Sequence, residues 1–223
     1  MILLVLFLLG LIVGSFLNVL IWRLNNEKAP KFWQGRSICP KCKHQLNWQD
    51  NIPLLSFVLL NGKCRYCHKK ISWQYPIVEI ITAISFLTVN PYLIIILCCL
   101  IVIFFSDLIY GLIPDEIVLI LGVLGILGKF GNVVWGLAAG GIFYLIYFLT
   151  KGRGIGFGDV KLAAVMGLLL GWPKILVALY SAFVLGGIVA IFLLLLKRKR
   201  FGETIALGPF LCIGVILSLS WLW

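Results

Sequence analysis

Charge is what this chain has least of. Only 12% of its 223 residues are charged, against about 25% in an average soluble domain. Acids are scarcest, 8 against 19 lysines and arginines, and there are only 2 histidines. With 62% hydrophobic residues, the chain cannot cover a large soluble surface, which excludes an ordinary soluble core and points to a multi-spanning membrane protein. Soluble-type repeats and low-complexity tracts are absent. Residues 1–22 lack a basic start and have no small-residue cleavage site before Arg23. They are therefore expected to be retained as a first spanning helix rather than removed as a signal peptide.

The charge that exists is clustered. All lysines and arginines except Lys129 and Lys174 fall within 23–75, 151–161 and 197–200. A net charge of +11 could signal nucleic acid, but positive patches between apolar runs mark the cytoplasmic side of a membrane. The expected partner of this charge is anionic lipid headgroups, and no nucleic-acid partner is expected.

Eight apolar segments follow from the runs: 2–22, 76–89, 92–108, one from Pro114-Asp115 to about 128–132, 133–149, 160–170, 175–196 and 207–222. The expectation is an all-α membrane protein of about eight transmembrane helices. Residues 1–22 form the first, 23–75 a soluble insertion, and 76–223 a multi-spanning catalytic membrane domain. Alternation puts 23–75 and the turns near 109–114, 151–158 and 197–204 in the cytoplasm. Asp107, Asp115 and Asp159 then share one membrane face. Gly14, Ser15 and Asn18 share a face of the first helix and read as packing contacts. Ile52–Leu60 is too short to span and is expected under the fold or at the bilayer surface.

The insertion holds four of the 7 cysteines. Cys39-Pro40-Lys41-Cys42 and Cys64-Arg65-Tyr66-Cys67 are two CxxC pairs whose spacing suits tetrahedral zinc. So small an insertion buries little core, and a metal would supply stability. A reducing cytoplasm argues against disulfides. Cys64 to His68 also fits a haem-attachment pattern, but that leaves the first pair unexplained and lies on the wrong side of the membrane. Four cysteine ligands leave no open position, so the zinc is expected to be structural. Cys98, Cys99 and Cys212 read as small buried hydrophobes.

Glu79, Asp107, Asp115, Glu116 and Asp159 sit at the edges of apolar segments, where an acid is costly and is a functional candidate by default. Asp115 and Glu116 follow Pro114 at a helix start, where acids suit the dipole. Asp159 also starts a helix. Asp107 ends one, where its charge opposes the dipole, so function explains it better. Two carboxylates can hydrolyse a peptide bond together, one ionised and activating water, the other protonated and donating to the carbonyl oxygen. Gly154, Gly156 and Gly158 precede Asp159 and let the backbone approach a substrate strand. Their GxGxG spacing, with no strand before it, is a poor dinucleotide fingerprint. A proton-coupled transporter is the rival reading, but its acids belong at the bilayer midplane. A scaffold recruiting partners through its zinc module would not need the two aspartates.

The chain resembles the type IV prepilin peptidases, membrane aspartic proteases with a GxGD motif. Gly14-Ser15-Phe16-Leu17-Asn18-Val19 is similar to their first-helix signature. The two cysteine pairs, Asn51-Ile52-Pro53 and Tyr75-Pro76-Ile77-Val78-Glu79 follow their insertion in order. Asp107-Leu108 before Ile113-Pro114-Asp115 resembles the region of their first catalytic aspartate, and Gly156-Phe157-Gly158-Asp159-Val160-Lys161 that of the second. Asn25 and Gln74 depart from the pattern, away from the acids. The resemblance implies that Asp107 and Asp159 are catalytic, with Gly156, Gly158, Lys161, Asp115 and Glu79 in support, and that Cys39, Cys42, Cys64 and Cys67 bind zinc. It implies cleavage of the basic leader from prepilin or pseudopilin substrates at the cytoplasmic face of the inner membrane. It also implies N-methylation of the new terminus with S-adenosylmethionine, the alternative being a peptidase without that second activity.

Overall fold

Proline, glycine and asparagine mark where the helices of this chain begin and end. Asn90 accepts the N–H groups of Tyr92 and Leu93 and opens a helix at Pro91. Pro114 stands before another, and Gly171, at φ 63°, closes a third. The computed structural model describes residues 1–26, 29–30, 35–128, 132–197 and 205–220. Its helices are α1 (Ile2–Leu24), α2 (Leu55–Leu59), α3 (Gln74–Phe86), α4 (Pro91–Tyr110), α5 (Asp115–Gly128), α6 (Val133–Leu149), α7 (Phe157–Leu170), α8 (Lys174–Leu195) and α9 (Gly208–Ser220). Among the described residues, extended pairing is limited to isolated bridges.

All eight apolar segments expected from the sequence are helices, and the architecture is that of an all-α membrane protein. α1, α4 and α8 are long and apolar enough to cross a bilayer. α3, α5, α7 and α9 have only 13 or 14 residues. At 1.5 Å per residue that is about 20 Å, against a hydrocarbon layer of about 30 Å. The basic stop at 198–200, the turn at 129–131 and residue 222 lie outside the described residues.

The chain divides into two units, Met1–Val102 and Ile103–Trp223. In the first, α1 packs along α3. Gly10 and Gly14 turn bare backbone toward α3: a Cβ on Gly14 would come within 2.7 Å of Glu79 Cα, and one on Gly10 would press on Ala83 Cα. Small residues four apart let two backbones approach closely in lipid. Asn18, one turn on, is buried. Its Nδ2 donates to the Tyr75 carbonyl at 3.1 Å and the Gly14 carbonyl at 3.3 Å. The Gly14, Ser15 and Asn18 face is therefore a packing face. In the insertion, α2 turns Phe57 toward Trp73, ring centroids 5.2 Å apart, and leaves Leu55, Val58 and Leu59 exposed. Those three side chains face outward, while Ile52, Leu54, Phe57 and Leu60 are half-buried.

In the second unit α7 is the axis, touching α5, α6, α8 and α9. Its Val160, Leu162, Ala163, Val165, Met166 and Leu170 are buried. Glycine sets the α6–α7 distance. A Cβ on Gly140 would reach Ala164 Cβ at 2.8 Å, and one on Gly167 would strike the Trp135 carbonyl oxygen and sit 2.7 Å from Gly136 Cα. At the far end of α7, Asn132 Nδ2 donates to the Leu168 carbonyl at 3.1 Å and Trp135 stacks on Trp172. Because backbone atoms cannot yield, Gly167→Ala should force α6 and α7 apart and cost about 1–3 kcal/mol, read as a lower thermal midpoint in detergent. Gly141→Ala, whose Cβ meets nothing within 4 Å, should leave the midpoint where it was.

Candidate active site

Asp107 lies in the last turn of α4, 7% exposed. Its Oδ2 accepts the backbone N–H of Gly208 at 2.9 Å. Gly208 is the first residue of α9, so this N–H is one of the donors a helix start leaves without an intrahelical partner. The dipole of α4 opposes a charge on Asp107, while the positive end of α9 meets it.

Asp159 lies in the first turn of α7, 9% exposed. Its Oδ2 accepts the N–H of Gly156 at 3.1 Å, and its own N–H donates to the Gly156 carbonyl at 3.1 Å. Asp159 thus caps the helix it stands on. The two carboxyl groups lie within electrostatic reach of each other. Cys212, one turn into α9 and 1% exposed, lies within reach of both. The Oδ1 of each aspartate has no hydrogen-bond partner among the described residues.

The turn before α7 is held from α6. Gly152 takes φ 74°, donates to the Tyr147 carbonyl at 2.9 Å and lies against the Tyr147 ring, which in turn meets Phe157 at 5.7 Å. Gly158 is a point of close approach: an added Cβ would lie 3.1 Å from Ile113 Cβ. Gly156 gives its N–H to Asp159, and a Cβ there would lie 3.3 Å from Asp159 Oδ2.

Lys161 and Asp115 pair with each other. Lys161 Nζ is 2.6 Å from Asp115 Oδ1 and 5.0 Å from the Phe157 ring centroid. The Asp115 side chain is 68% exposed, so the pair adds under about 1 kcal/mol and chiefly registers α5 against α7. Glu79 belongs to the first unit. It is buried, accepts the Leu54 N–H at 2.8 Å and has its Cα packed close to Gly14 of α1, and so ties α3 to the insertion. Sequence reasoning passed over Gly208 and took Cys212 only as a small buried hydrophobe, which its burial bears out. The available signal was Gly208-Pro209 at the head of the last apolar run, which reads only as a helix start.

The two cysteine pairs fold alike. In the first, Cys39 N–H donates to the His44 carbonyl at 2.9 Å and Lys43 N–H to the Cys39 carbonyl at 2.9 Å. In the second, Cys64 N–H donates to the Lys69 carbonyl at 3.0 Å and His68 N–H to the Cys64 carbonyl at 2.9 Å. Lys43 and His68 both take positive φ, and Ile38–Gln45 and Lys63–Lys70 bridges close the two turns. The four Sγ atoms lie within 4.8 Å of one another. Tetrahedral Zn–S bonds of about 2.3 Å need sulfurs roughly 3.8 Å apart, so the donor set fits a closed metal site. Burial works against a Cys39 thiolate, but the N–H groups of Cys42 and Lys41 and the neighbouring thiols outweigh it and bring the thiol down to about 7. Burial pushes Cys64 upward.

Asp50 braces these turns, accepting from Arg65 Nε at 2.8 Å, Tyr66 Oη at 3.1 Å and the Asn47 N–H at 3.1 Å. Burial opposes its charge, but Arg65, Asn47 and Tyr66 prevail and hold its carboxyl below the usual value.

Comparison with known proteins fits both halves of this description. The family model for the bacterial peptidase A24 N-terminal domain matches residues 8–92, and that for the type IV leader peptidase family matches 94–191. A prepilin leader peptidase/N-methyltransferase of Aeromonas hydrophila is 33% identical over 259 residues, covering 96% of this chain and 89% of the relative. One from Pectobacterium carotovorum is 33% identical over 251 residues, covering 95% and 90%. One from Pseudomonas aeruginosa is 31% identical over 256 residues, covering 96% and 88%. No solved structure matches the chain. With that identity held along almost its whole length, the chain belongs to the type IV leader peptidase family.

Proposed function

We propose that this protein is a membrane aspartic endopeptidase that removes the basic leader from type IV prepilin-like or pseudopilin precursors, with Asp107 and Asp159 as its catalytic pair. The observation that carries the reading is the pair itself: two buried carboxyl groups on different helices, within reach of each other's charge, in a chain with only 8 acids. The names and coverage of the relatives support the substrate class.

Two such groups can hold one proton between them, because neighbouring like charges cannot both ionise cheaply. The ionised aspartate takes a proton from water, and the hydroxide attacks the scissile carbonyl carbon. The protonated aspartate gives its proton to the carbonyl oxygen. Collapse of the tetrahedral diol returns that proton to the ionised member, the proton first taken from water goes to the leaving nitrogen, and the C–N bond breaks. Each Oδ2 is committed to a backbone N–H, which leaves each Oδ1 for water and substrate. Gly156 supports the pair through its N–H, Gly158 through its approach to Ile113, and Lys161 with Asp115 by holding α5 on α7. Glu79 supports the first unit.

The protein acts in the bacterial inner membrane. The basic patches favour placing the insertion and the acids on the cytoplasmic side. Cys39, Cys42, Cys64 and Cys67 hold a structural zinc ion, which supplies fold stability and takes no part in hydrolysis. The enzyme also methylates the new N-terminus with S-adenosylmethionine, to which no residue is assigned.

Co-expression with a pilin precursor and mass spectrometry of the product tests the reading. The native enzyme should yield leader-free, N-methylated pilin, whereas Asp107→Asn and Asp159→Asn, though folded and membrane-inserted, should leave the leader on. Normal cleavage by either variant rejects the pair. Metal analysis should find about one zinc per chain. Cys64→Ser should lose the metal and make 35–73 sensitive to protease; a Cys64→Ser protein that keeps both zinc and resistance would contradict the ligand assignment.

A further inference from the structure

The family match ends at residue 191, yet Gly208, beyond it, touches Asp107. The Gly208 N–H donates to Asp107 Oδ2 at 2.9 Å. On the same residue, an ideal Cβ would lie 2.7 Å from Asp107 Oδ2, 3.1 Å from its Cγ and 3.2 Å from its Cβ. Those three atoms are the nearest an added carbon would meet, and all belong to one side chain. Gly208 is buried, and Pro209 follows it in the first turn of α9. Pro209 has no N–H to offer as a substitute donor. Asp107 is on a different helix, 101 residues away in the chain, so this contact fixes a carboxylate against a helix end that local sequence does not supply.

We infer that Gly208 is a positioning residue of the catalytic site: its N–H sets the orientation of the Asp107 carboxyl, and its lack of a side chain leaves the space that carboxyl occupies. This rests on the reading of Asp107 and Asp159 as the pair. A methyl group on Gly208 meets no backbone among its three nearest atoms. The group that gives way is the short Asp107 side chain, which must turn off the N–H. The fold should tolerate the change far better than the chemistry, because displacing a reacting group by about 1 Å costs roughly a hundredfold in rate.

The test uses purified full-length protein reconstituted with a pilin precursor bearing a basic leader. Gly208→Ala should lower kcat about a hundredfold, leave KM within about twofold, and displace the pH–rate profile, since a hydrogen bond to a carboxylate changes its proton affinity. Gly125→Ala supplies the structural comparison. Its Cβ would press on Leu168 at 2.9 Å, in the last turn of α7 and at the opposite end of that helix from Asp159, so it should lower the thermal midpoint while leaving the pH profile undisplaced. A Gly208→Ala enzyme with native kcat and an undisplaced profile, in an assay where Asp107→Asn is inactive, overturns the inference and leaves the pair intact. An active Asp107→Asn overturns the pair itself, and the inference with it. If Gly208→Ala does not fold, Gly208→Ala with Asp107→Ala should fold again, since the obstructing carboxyl is gone. Failure of that rescue would show that Asp107 is not what the methyl group meets, and would equally overturn the proposal.

Discussion

Two helix starts offer backbone N–H groups to two buried acids, and the rest of the second unit is arranged around that fact. Burying a carboxyl group away from water is costly unless hydrogen bonds and favourable charge replace the lost hydration. α7 meets that cost for Asp159 locally, through Gly156. α9 meets it for Asp107 across the fold, through Gly208. The compensation in both cases is a backbone donor, which cannot change its charge or rotate away. Acids held this way remain able to gain and lose a proton, which a lysine or arginine partner would discourage. It is consistent that Lys161, two positions from Asp159, is engaged by Asp115 instead.

Glycine makes this arrangement possible at two scales. Gly136, Gly140 and Gly167 bring α6 and α7 to near backbone contact, and Gly125 brings in α5. Within lipid there is no hydrophobic drive for helices to associate, and close packing of this kind replaces it. α7, touched by four other helices, carries Asp159 in its first turn. At the site itself glycine removes side chains where carboxyl groups must fit. The residues that hold the bundle together and those that shape the site are of one type because both tasks need atoms left out.

The helices were legible in the sequence because charge is so rare that its absence delimits them. Asp107 stands out as a candidate because an acid at the C-terminal end of an apolar helix has no local explanation. The partner of Asp107 was not legible, since nothing in a run such as Leu207 to Leu211 says which carboxyl group will meet its first N–H across 101 residues. Gly158 was read as a place for substrate to approach, and the structure gives it a neighbour in Ile113. The cysteine spacing announced a four-thiol cluster, but the matching turns and the Asp50 brace depend on backbone angles and on side chains 15 and 16 residues apart, which spacing alone does not encode. α2 went unforeseen because five residues carry too little periodicity.

The length of α7 bears on how water reaches a site embedded in apolar helices. Fourteen residues rise about 21 Å, too little for a hydrocarbon layer of about 30 Å. At least one end of α7 therefore lies below the membrane surface or thins the membrane around it. The end with Asp159 is preceded by a turn, Thr150 to Gly156, whose backbone is not helical. That turn is exposed from Lys151 to Gly154, so a short helix headed by it keeps its Asp159 end near the edge of the apolar layer. Lengthening α7 to a full span would carry its first turn out of the apolar layer and away from that boundary, so its shortness is part of how a soluble reaction is run at the edge of a bilayer.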